Sequence, residues 1–166
     1  LLNPSIIIAD EPTTALDVIM QDQVMKYLDS IKEELGTSLL LITHDISVVM
    51  ESCEKQVVMH SGQVCESGAT SELFESPRHP YYILLKEAFP DIRFPDRSLE
   101  VIEGHPPETI GDVDWCTFAN RCPWAVEECH QKPPNLENDD SDSEQHKVAC
   151  FRKDDVHKDY NKGDVK

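Results

Sequence analysis

The chain has 166 residues, of which 32 are acidic and 15 basic, for a formal net charge of −17. Such a balance argues against nucleic-acid binding, which needs a basic footprint, and no apolar stretch approaches the roughly 18 residues of a membrane span. The length suits one domain, or one domain with a small appendage.

Residues 5–17 read SIIIADEPTTALD. Ile6, Ile7, Ile8 and Ala9 form an apolar run without alternation, the pattern of a parallel strand buried on both faces. Asp10 and Glu11 then fall at a strand's carboxyl end, where open α/β sheets bind ligands. An Asp there can hold Mg²⁺, because hard cations take oxygen ligands. A neighbouring Glu can orient or deprotonate a water. Two solvated acids at a strand end is the plainer alternative.

Asp17 is suited to cap a helix over Val18–Leu35, in which Val24, Leu28, Ile31 and Leu35 recur at helical spacing and Gly36 supplies the stop. A second strand, Ser38–Thr43, ends at His44, 27 positions after Asp17. Asp45 is a candidate N-cap for a short helix over Ile46–Cys53. His44 thus falls at the same kind of strand end as Asp10 and Glu11. Gln56–His60 and Gln63–Glu66 flank Ser61-Gly62, a hairpin signal. Short helices follow at Ser71–Glu75 and Tyr81–Ala88, the second ended by Pro90.

Beyond residue 90 the composition changes. Residues 90–136 hold seven prolines and three cysteines, a density that fits an irregular module better than a sheet. Residues 137–144, ENDDSDSE, carry five acids in eight positions and read as a solvated loop. The polar residues 153–166 are predicted to be disordered.

DEPTTALD followed by LLLITHD resembles the second half of an ATP-binding-cassette (ABC) ATPase: the Walker B strand, the D-loop and the switch histidine. The resemblance implies Asp10 for Mg²⁺, Glu11 as catalytic glutamate, His44 on the γ-phosphate and attacking water, and Asp17 at the interface between two ATPase subunits. The P-loop signature GxxxxGKS/T and the LSGGQ motif are absent from these residues. Ser61-Gly62-Gln63 echoes the latter but lies in the hairpin turn and is given no function. The chain reads as a C-terminal fragment, and without the backbone amides and lysine of a P-loop it is expected not to hydrolyse ATP alone.

The tail narrows the resemblance. SPRHPYYILLKEAFP at 76–90, GHPPE at 104–108, CTFANRCPWAVEEC at 116–129, PPNL at 133–136 and HKVAC at 146–150 resemble the C-terminal extension of ATP-binding subunits of oligopeptide/dipeptide ABC importers. Thr14 stands where that family usually has Ser, Tyr82 where it often has Thr, and the acidic insert at 137–144 is unusual. The implied fold is α/β: the C-terminal part of a P-loop NTPase core over 1–75, a connecting helix at 76–90, a small irregular Cys/Pro-rich module at 91–152, and the tail.

Cys116, Cys122, Cys129 and Cys150 are spaced C-x5-C-x6-C-x20-C. Four thiols in one proline-rich module suggest a soft metal centre, either a 4Fe–4S cluster or structural Zn²⁺. The close CxxC pairs of zinc ribbons are missing, and the family resemblance implies the 4Fe–4S cluster. Metal-free or oxidised thiols are the third reading. Cys53 and Cys65 read as small buried hydrophobes.

The reading is an ATPase subunit of a prokaryotic peptide importer at the cytoplasmic face of the membrane. Its expected partners are a second ATPase subunit, membrane permeases and, indirectly, a solute-binding protein. The rivals are a non-transport ABC ATPase and a metal-binding interaction module with a vestigial ATPase half. The first would show long heptads and basic surfaces, which this sequence lacks.

Overall fold

The computed structural model describes residues 3–88, 102, 104, 105, 107, 111, 113–139 and 145–163. Pro90, two residues of GHPPE and residues 140–144 of the acidic run therefore lie outside the described residues. The chain divides into two compact units, Leu1–Cys53 and Glu54–Lys166. No helix among the described residues is long and apolar enough to cross a membrane.

The first unit alternates strand and helix: β1 (Ile6–Asp10), α1 (Val18–Leu35), β2 (Ser38–Ile42) and α2 (Ile46–Ser52). β1 and β2 pair in parallel, with Ile8 opposite Leu40 and Asp10 opposite Ile42. This register brings both strand ends to one edge. α1 starts where its local chemistry dictates. Asp17 is extended, and its Oδ1 accepts the free amides of Ile19 and Met20 at 3.0 and 2.9 Å, which satisfies donors that have no partner within the helix. α1 stops at Gly36, whose φ of +60° suits glycine, and the amides of Gly36 and Thr37 close back on Glu33 and Lys32.

Within these residues β1 is covered on one face only. Ile8 is 62% exposed, and Ile6, Leu40 and Ile42 are also open. Side chains alternate across a strand, and within this unit the packing covers only the other face, where Ala9 is buried.

The second unit centres on a four-stranded antiparallel sheet of order β3-β4-β6-β5. β3 (Lys55–His60) and β4 (Gln63–Ala69) form the hairpin, turned by Ser61 and Gly62 with φ of +45° and +79°. β6 (Lys147–Val148) adds to β4 and β5 (Glu137–Asn138) to β6. Helices α3 (Thr70–Glu75), α4 (Pro80–Glu87), α5 (Glu127–Gln131) and α6 (Lys153–Lys162), with a 3-10 turn at Ala119–Arg121, complete it. Leu73, Tyr82, Ile83, Phe118, Val148 and Val156 are the closed core. Gly68 packs closely: a Cβ there would meet Leu73 Cδ1 at 2.6 Å, so the buried Leu73 side chain would have to shift.

The composition change near 76–90 is not a unit boundary, because β6 pairs with the hairpin strand β4 and so ties the Cys/Pro-rich part to residues 54–88. Residues 153–162 are helical rather than disordered, since Val156 is wholly buried, Trp124 Nε1 donates to Asp159 Oδ2 at 3.0 Å, and Lys86 Nζ donates to the Tyr160 hydroxyl at 2.8 Å. The acidic run is not wholly a solvated loop. Glu137 and Asn138 form β5, and Asp139 is buried with Oδ2 at 3.0 Å from Arg78 Nε.

Candidate functional site

Glu11 continues the β1 ladder by one bond, its amide donating to Ile42 O at 2.8 Å. Its backbone then turns left-handed, at φ +48°, a region non-glycine residues seldom adopt. This turn leaves the carboxylate at the strand edge, where His44 arrives from the end of β2. His44 Nδ1 lies 3.0 Å from both Glu11 oxygens, and the Thr14 hydroxyl donates to Glu11 Oε2 at 2.9 Å.

The electrostatics follow from these contacts. The His44 hydrogen bond, and after it the Thr14 hydroxyl, hold the Glu11 carboxyl below the usual carboxylate range. The same Glu11 contact pushes His44 up. His44 is 76% exposed and Glu11 38%, so the pair is open to a ligand.

Asp10 is exposed at the last position of β1, an accessible oxygen donor that suits a hard cation. Asp17 sits at the other end of the loop as the α1 cap. Asp45 caps α2 through Ser47 N at 2.8 Å. An ionised carboxylate, a histidine and a second carboxylate at one parallel-sheet edge can hold a cation, orient a water and contact a phosphate.

In the second unit the four spaced cysteines come together. Cys116, Cys122, Cys129 and Cys150 all line one small cavity of about 10 Å³, together with Phe118 and Trp124. Local turns put them there: the Cys116 amide donates to Cys129 O at 2.9 Å, and Cys122 N closes on Ala119 O at 3.3 Å. Burial pushes the Cys122 and Cys150 thiols up to about 12 and raises Cys116. Opposing this, backbone amides donate to sulfur, Arg152 N to Cys150 Sγ at 3.3 Å among them. All six cysteines are free thiols. Among the described residues no group of three or more His, Cys, Asp or Glu is arranged to hold a metal ion. Four thiols are the donor type that suits a soft metal, and the cavity that they line has about one water's volume. Cys65 is buried, and Cys53 is half-buried.

Sequence reasoning missed two groups. In the sequence Thr14 stands out only as a departure from a motif. Glu66 is wholly buried and accepts Arg78 N, His79 N and His146 Nε2 at 2.9, 2.8 and 2.7 Å. A buried-charge partner 80 positions away leaves no local signal.

Residues 65–129 match the family described as the oligopeptide/dipeptide transporter, C-terminal region. The probable peptide ABC transporter ATP-binding protein of Sinorhizobium fredii is 39% identical over 155 residues, 93% of this chain and 45% of that protein. The oligopeptide transport ATP-binding protein OppD of Salmonella typhimurium is 42% identical over 134 residues, 81% of this chain and 40% of its own length. The chain thus spans less than half the length of these curated relatives. Among solved structures, CbiO1 of Clostridium perfringens, part of an ABC transporter complex, matches at 34% identity over 50% of this chain and 32% of its own, with a TM-score of 0.41. Over most of its length this chain is thus similar to the ATP-binding proteins of peptide ABC transporters, and its residues 65–129 match the family described as the oligopeptide/dipeptide transporter, C-terminal region.

Proposed function

We propose that this chain is part of an ATP-hydrolysing subunit that energises peptide import. The observation that carries the reading is the contact of Glu11 with His44 at 3.0 Å on the edge of a parallel strand pair. The relatives, named as peptide and oligopeptide transport ATP-binding proteins, support the substrate class. ATP would supply the phosphoryl group, and bound Mg²⁺ would neutralise its charge. Asp10 holds the cation, directly or through water. Glu11 orients the attacking water and takes its proton, and His44 holds the γ-phosphate and that water. Asp17 lies at the contact with a second ATPase subunit. The subunit works at the cytoplasmic face of the membrane against permease partners, with a solute-binding protein acting indirectly. Phosphoryl transfer depends mainly on positioning and charge, so the 166 residues alone, lacking a P-loop, do not turn over ATP.

The test uses the full-length subunit. Glu11→Gln keeps the shape and loses the base, so ATP still binds and turnover falls by about 10²-fold or more. His44→Ala also slows turnover. Near-wild-type rates in both variants would overturn the assignment.

We further infer that Cys116, Cys122, Cys129 and Cys150 ligate a 4Fe–4S cluster. The support is their shared cavity and the amide donors to their sulfurs, contacts that stabilise thiolate ligands. Bound there, such a cluster would be structural, stapling a short, proline-rich segment with little core of its own. Prepared without oxygen, the protein is brown. Serine at any of the four abolishes the colour, and serine at Cys53 or Cys65 keeps it. A colourless anaerobic protein with one equivalent of zinc would replace iron by zinc, and a folded, metal-free protein would remove both.

A further inference from the structure

The loop between β1 and α1 is tightly constrained for a segment so exposed. Two of its non-glycine residues, Glu11 and Ala15, are left-handed, with φ of +48° and +63°. Thr14 N closes on Glu11 O at 3.3 Å, and Leu16 N on Thr13 O at 3.2 Å. Thr13 is buried, and Asp17 anchors the far end as the α1 cap. Residue 14 is thereby returned to the side chain of residue 11. A threonine here has a donor to offer, and its hydroxyl meets Glu11 Oε2 at 2.9 Å.

The contact divides the carboxylate's two oxygens. Oε2 carries Thr14 and shares His44, whereas Oε1 only shares His44. A carboxylate held by one donor can still swing about its terminal torsion, which is broad. Two donors from different directions fix that torsion.

We propose that Thr14 is a positioning residue for Glu11, its hydroxyl fixing the carboxylate's rotation so that Oε1 is the oxygen presented to the attacking water. The proposal rests on the ATPase reading above, since it assigns a role within that site. Thr14 touches no reacting atom and acts only through Glu11. It also ties the loop that ends at Asp17 to the carboxylate, so a displacement of this loop changes the aim of Glu11.

Thr14→Val keeps the shape and removes the donor, and Thr14→Ser keeps the donor. The first measurement follows the Glu11 side-chain carboxyl carbon by NMR titration in the 166-residue chain. Loss of a donor to the charged form moves the midpoint upward in Thr14→Val, and Thr14→Ser stays with the wild type. The second measures hydrolysis by the full-length subunit. Thr14→Val lowers kcat by about threefold to tenfold, the span of one ordinary hydrogen bond, with KM for ATP unchanged, and Thr14→Ser restores it. An unmoved Glu11 titration in Thr14→Val, or a Thr14→Ser enzyme as slow as Thr14→Val, would overturn the proposal. Failure of the ATPase reading itself looks different: Glu11→Gln would then turn over ATP normally while the Thr14-dependent titration persisted.

Discussion

His146 and His79 are both buried, and their neighbours give them opposite signs. Burial opposes a His146 cation, but the Glu66 hydrogen bond and the charges of Glu66, Glu72 and Asp139 outweigh it and raise its pKa. Burial also pushes the Glu66 carboxyl up; three N–H donors nonetheless demand the carboxylate form. His79 has no such partner. Burial, with the nearby His60, pushes it down to about 3, and its Nδ1 accepts the Tyr81 amide at 3.1 Å as the cap of α4. Linkage sets the pH window. The raised His146 contributes stability that is complete below its unfolded pKa, about 6.5, and is lost as pH rises through its folded value. The depressed His79 contributes stability present above about 6.5 and lost as pH falls toward about 3. Urea midpoints should therefore peak near neutrality. His146→Gln should cost about 3–5 kcal/mol by stranding a buried carboxylate and should flatten the alkaline limb. His79→Asn, which keeps a capping acceptor, should flatten the acid limb. Alkaline limbs that run parallel in wild type and His146→Gln would show that the pair is not ionised as argued.

At the scale of elements, legibility tracks how local the signal is. α1 spans Val18–Leu35, as its stripe and its two caps predict, because Asp17 and Gly36 carry the start and stop chemistry in their own side chain and backbone. The hairpin was legible for the same reason, its turn resting on Ser61-Gly62. β5 and β6 are not: two residues each show no period, and β6 exists because β4 offers an edge and β5 because β6 does. α6 is hard to read because eight of its ten residues give no core signal. Its order comes from Val156 and from partners such as Trp124, 35 positions away, and Lys86, 74 away. The candidate site divides in the same way. A parallel register lets Glu11 and His44 be placed together from two strand ends. The aim of the Thr14 hydroxyl depends on the left-handed backbone at Glu11, which no residue type announces.

At the scale of the whole molecule, the two units should differ in stability because they differ in what they bury. Among the described residues the buried apolar set of the first unit is Ala9, Met25 and Val48, against twelve such residues in the second. At roughly 25 cal/mol per Å² of apolar surface, so small a core holds its backbone hydrogen bonds weakly. The open face of β1 and β2, with Ile6, Ile8, Leu40 and Ile42, adds no burial and offers a template for association. Hydrogen exchange on this 166-residue chain should show the consequence directly. Amides of β1, β2 and α1 should exchange at least about tenfold faster than those of β3, β4 and α4, a difference of about 1.4 kcal/mol in opening free energy. Replacing Ile8 and Leu40 together by Thr should raise the soluble fraction and leave the slow amides of β4 and α4 unchanged, since the substituted side chains face outward. Equal protection across residues 6–87 would mean that the chain opens as one cooperative body and that the small buried set of the first unit does not set its stability.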